Sequence, residues 1–151
     1  MNKGNLLKLA DYLETEVKQK QFDMDLYRSD EVGRMCDFRS YHDCGTVGCA
    51  LGWAPFVEGL EPIDQEFDDD HYMGVSLIFA SYQRRVFDLS TIAWEWCFSD
   101  EWRSYDNTPK GAAKRIRYFV EHGQVPFGWC GPGSESVKHY QDNGEVLDVQ
   151  Q

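Results

Sequence analysis

Apolar side chains at Leu6, Leu9, Ala10, Leu13 and Val17 recur every three or four residues, with Lys8, Asp11, Glu14 and Lys18 between them. That period places one stripe of a helix against a core, and it predicts an amphipathic helix from about Asn5 to Lys20 capped by Asn2 or Asn5. Phe22, Met24 and Leu26 then alternate with Asp23, Asp25 and Tyr27, the period of a half-buried strand. One such run does not establish a sheet.

From Cys44 to Trp53 the sequence CGTVGCALGW carries no charge. Asp43 or Thr46 can cap a short buried helix here, and Pro55, which disfavours a helical Ala54, sets its end near Trp53. On such a helix Gly48 and Gly52 share a face and admit a close backbone neighbour. A third helix is predicted from about Gly74 to Phe87, with Val75, Ile78, Phe79, Tyr82 and Val86 as its stripe.

Ser90 reads as the cap of a fourth helix holding Trp94, Trp96 and Cys97, with Leu89 and Trp94 spaced as a hydrophobic staple. In the last helix Thr108 is the cap, Pro109 takes the first turn and Gly123 follows His122 as the terminator. Ala112, Ala113, Ile116, Phe119 and Val120 form its buried stripe. Lys110, Lys114 and Arg117 mark the other side, either as a solvated face or as a counterpart to acids of the same chain.

Beyond Val125 the pattern breaks into Pro126, Gly128, Gly131, Pro132, Gly133 and Ser134, and Asp142-Asn143-Gly144 marks a further turn. The expected organisation is a mainly α (α or α+β) compact single domain of about five helices with at most a small β element. Residues 1–127 form the helical part and 128–151 a turn-rich extension packed on it.

Composition agrees with a folded core. Of the 151 residues 42% are hydrophobic and 15% aromatic, enough burial to offset chain entropy, which excludes global disorder. The longest uncharged apolar stretch, Val75 to Tyr82, is far short of the roughly 20 residues that span a bilayer. Met1 to Ala10 lacks the apolar core of a secretory leader. The expected location is the cytoplasm, with no membrane contact.

Charge changes the picture more. The formal net charge is −11, from 26 acids and 15 bases. Residues 1–39 carry eight acids and seven bases, and residues 84–151 ten and eight. Between Ser40 and Gln83 there is no Lys or Arg, while Asp43, Glu58, Glu61, Asp64, Glu66, Asp68, Asp69 and Asp70 supply eight acids. A field of that sign repels phosphates, so no direct nucleic-acid grip is expected, and it attracts a basic protein surface. The plainest reading of Glu58 to Asp70 is a solvated acidic loop; next comes a partner-binding or nucleic-acid-mimicking face. Asp68-Asp69-Asp70-His71 also suits a hard cation, although it lacks the glycine and terminal glutamate of a calcium loop.

Cys36, Cys44, Cys49, Cys97 and Cys130 are odd in number and form no CxxC pair, against both a disulfide framework and a zinc ribbon. His42-Asp43-Cys44 is the best local constellation. A thiol at a helix start has a lowered pKa and His42 can serve as its base; alternatively His42, Cys44 and Cys36 form part of a metal set. Against this, Cys44 and Cys49 sit in an apolar glycine-rich element, where structural thiols are the ordinary case. No phosphate loop, HExxH or nucleophile elbow is present, and no cofactor is expected. Trp94, Trp96, Phe98 and Trp102 fall within nine positions and cannot share one helix face, so some are expected at a second interface, with Trp102 as a partner anchor.

CGTVGCALGW, the later Phe87 to Ser90 element and the helix TPKGAAKRI from Thr108 to Ile116 resemble a group of small bacteriophage and bacterial proteins sharing a CGTxxCxxGW motif and a later TPxxAAxRI helix. No activity attaches to that group, so the resemblance implies no catalytic residue. It implies a phage or prophage accessory protein in the cytoplasm of a bacterial host cell. The expected function is binding of a host protein with a basic surface through Asp64, Glu66, Asp68, Asp69 and Asp70, as an inhibitor of a nucleic-acid-binding defence complex of the CRISPR or restriction type. The alternatives are a cysteine/histidine metal protein or thiol enzyme centred on His42 and Cys44, and a structural part of a virion.

Overall fold

A computed structural model describes residues 1–24, 47–63 and 72–132, with the side chains of 72–76 left aside. Five α-helices follow in order: α1 Lys3–Thr15, α2 Ala50–Trp53, α3 Tyr72–Val86, α4 Thr91–Phe98 and α5 Pro109–His122, with 3-10 turns at Gln19–Gln21, Ala54–Phe56 and Asp100–Ser104. The chain is mainly helical, as its periodicity predicts, and no strand occurs among the described residues.

The central pair is α1 against α5. Leu6, Leu9, Ala10 and Leu13 of α1 are fully buried, as are Ala112, Ala113 and Ile116 of α5. Each such leucine contributes about 2 kcal/mol of transfer free energy. At the solvent edge of the pair Arg117 donates to Glu14 Oε2 at 2.7 Å and also reaches Asp11. The hydrogen bonds from Arg117 to Glu14 and then Asp11 raise its already high pKa further. The α5 ends are those the sequence predicts: Gly111 N–H donates to Thr108 Oγ1 at 2.9 Å, and Gly123 terminates the helix at φ 71°. That left-handed conformation favours a residue without a Cβ.

Asn2 caps α1, its Oδ1 accepting from Asn5 N–H at 3.1 Å. The helix ends at Thr15, short of the expected Lys20. Thr15 Oγ1 donates back to the Asp11 carbonyl at 2.9 Å, and Gln19 Nε2 donates to the Asn107 carbonyl at 2.8 Å. A tertiary contact thus takes the place of the last predicted turns, and Val17 is still buried.

The expected strand at Phe22 becomes one parallel bridge to Gly48. Gly48 N–H donates to the Gln21 carbonyl at 3.0 Å, and Asp23 N–H donates to the Gly48 carbonyl at 3.2 Å. Gly48 is therefore extended, so it shares no helix face with Gly52 as the spacing had suggested. α2 starts later than expected, capped by Cys49, whose Sγ accepts from Gly52 N–H at 3.4 Å. Asp43 and Thr46, the expected caps, lie outside the described residues. Ahead of Pro55, Ala54 keeps helical angles, φ −54° and ψ −40°, and the path continues as a 3-10 turn. Ala54 is fully buried, and packing outweighs its pre-proline preference.

α3 matches its predicted span closely, and α4 starts at its predicted cap and holds Trp94, Trp96 and Cys97. Phe79, Tyr82 and Val86 are buried on α3, and Ser90 Oγ accepts from Ala93 N–H at the start of α4. After α5, Trp129 packs edge-on against Trp96 with ring centres 5.8 Å apart. The first residues of the C-terminal segment therefore belong to the same core.

Candidate functional site

The acidic window enters the described structure at its two flanks. Glu58 is exposed on the turn after α2. Glu61 is anchored twice: its carbonyl accepts from Tyr82 Oη at 2.7 Å, and its Oε1 accepts from Arg85 Nη2 at 2.9 Å and Nε at 3.2 Å. Arg85 Nη1 donates to Ser81 Oγ at 3.1 Å. Burial, helped by Glu61, raises the Tyr82 phenol far above its ordinary value, so it serves as a neutral donor. Asp64, Glu66, Asp68, Asp69 and Asp70 lie outside the described residues, as do Asp43 and His71.

Between Glu61–Ile63 and the exposed side of α3 lies a groove of about 350 Å³, lined by Pro62, Ile63, Leu77, Ile78, Ser81 and Arg85 as well as Glu61. Leu77 is 72% exposed. Sequence reasoning missed this groove, although one signal was present: Leu77 is a large branched apolar residue of α3 that falls outside the stripe Val75, Ile78, Phe79, Tyr82 and Val86.

Arg117 is taken by Asp11 and Glu14 of α1. Arg85, just outside the window, supplies the cation that meets Glu61.

Trp102, expected as an exposed anchor, is 1% exposed. Its Nε1 donates to the Trp96 carbonyl at 2.8 Å, and its ring meets Trp96 edge-on at 5.4 Å. The Arg115 guanidinium lies over it, 4.1 Å from the ring centre. A side chain closed in on both faces cannot reach a partner without opening the core, so Trp102 is corrected to a core residue. Trp96 is also fully buried and donates to the Arg115 carbonyl at 2.9 Å. The crowding of tryptophans beyond one helix face is resolved by the turn Asp100–Ser104, which folds Trp102 back onto α4.

Arg115 itself is fully buried, and its Nη1 donates to Asp106 Oδ2 at 3.1 Å. Asp106 Oδ1 accepts from Thr108 Oγ1 at 2.7 Å. Spacing could have found it: Ala112, Arg115, Ile116 and Phe119 follow i, i+3, i+4, i+7, which puts this cation on the apolar side. Its place over the Trp102 ring and beside the Asp106 carboxylate gives it a packing role.

Of the thiols, Cys49 and Cys97 are buried and Cys130 is exposed. Burial pushes Cys49 up to about 11 and Cys97 up to about 12. Both are neutral thiols at physiological pH. His42, Cys44 and Cys36 lie outside the described residues, and among the described residues no cluster of His, Cys, Asp or Glu has a metal-holding arrangement. No described helix is long and apolar enough to cross a membrane.

No family model, no curated protein and no solved structure matches the chain.

Proposed function

We propose that the protein works by contact, as a phage- or prophage-type accessory protein whose acidic face occupies the basic surface of a host protein. The target class is a nucleic-acid-binding defence complex of the CRISPR or restriction type, and the face is Asp64, Glu66, Asp68, Asp69 and Asp70. The observation that carries the reading is the base-free window: eight acids and no Lys or Arg between Ser40 and Gln83. Arg117 supports it, because this cation of the α5 stripe is engaged by Asp11 and Glu14 of α1. Unbalanced charge of one sign steers a basic partner and accelerates encounter. The phage context rests on the resemblance of CGTVGCALGW and TPKGAAKRI alone.

The test is affinity capture from a bacterial lysate with the wild type beside a variant carrying Asp64→Lys, Glu66→Lys and Asp69→Lys. The variant is expected to keep the wild-type melting temperature and lose the captured protein. Undiminished capture would sink the proposal.

A further inference from the structure

We draw no further inference here: the strongest candidate, the surface patch of exposed lysines Lys18, Lys20, Lys110 and Lys114 where the end of α1 lies beside the start of α5, carries nothing, because nothing in the structure shows what covers it.

Discussion

A Cβ at Gly111 would fall on the Asp106 carboxylate, and that carboxylate has nowhere convenient to go. Thr108 Oγ1 holds one of its oxygens and Arg115 Nη1 the other, while Arg115 is fully buried against Trp102. Displacing Asp106 would take the carboxylate from a charge that cannot reach water. Gly111→Ala is therefore expected to destabilise by about 2–4 kcal/mol despite the general preference of helices for alanine. Urea denaturation checks it, and a loss below about 0.5 kcal/mol would show that Asp106 moves freely. At the same scale the sequence was only partly legible. Caps such as Asn2, Ser90 and Thr108 are local, since donor and acceptor lie within three residues, and spacing finds them. The Arg115 pair depends on a turn folding Trp102 back, which no local pattern announces.

Among the elements, the loop between Tyr105 and Thr108 ties distant segments together through Asn107. Its side-chain Oδ1 accepts from Met24 N–H at 2.8 Å, its Nδ2 donates to Asp23 Oδ1 at 3.3 Å, and its carbonyl accepts from Gln19 Nε2 at 2.8 Å. Arg103 adds an ion pair to Asp23 at 3.5 Å. Asn107→Ala leaves the amide of the buried Met24 without that acceptor, and a loss of about 1–3 kcal/mol is expected. Hydrogen exchange should show Met24 and Gly48 unprotected before α5 is affected; uniform protection would contradict the prediction. This junction also explains the shortened α1, because periodicity reads a helix as far as its apolar residues continue, and Val17 is apolar yet non-helical. α5, with cap, proline, stripe and glycine in agreement, was readable from end to end. The expected face at Asp64 to Asp70 was legible as a composition only, while the groove between Glu61–Ile63 and α3 needed the placement of Glu61 against Arg85.

For the whole molecule, the buried thiols make stability depend on alkaline pH. Cys49 and Cys97 rise from 9.0 to about 11 and about 12 on burial, so between those values the folded chain keeps protons that the unfolded chain releases. Their contribution is complete below about pH 9 and falls as pH rises through the folded values, with Tyr82 acting in the same direction. The urea midpoint is expected to be level from neutral pH to about 9 and then to decline, and Cys97→Ala to flatten the decline. A midpoint insensitive to pH in that range would mean the thiols are reached by water in the native state.

Perpendicular indoles surround Trp96, with Trp102 at 84° and Trp129 at 89°. Trp53 lies in the corner of α1 and α2, with Tyr12 and Phe56 among its ring neighbours. Coupled indole transitions around Trp96 and the Trp53 indole among its own ring neighbours give the protein two optical reporters without any label. Circular dichroism of the coupled set follows the α4–α5 end, and the emission that Trp53→Phe removes follows the α1–α2 corner. Whether the two ends melt together can thus be read from light the molecule itself absorbs and emits.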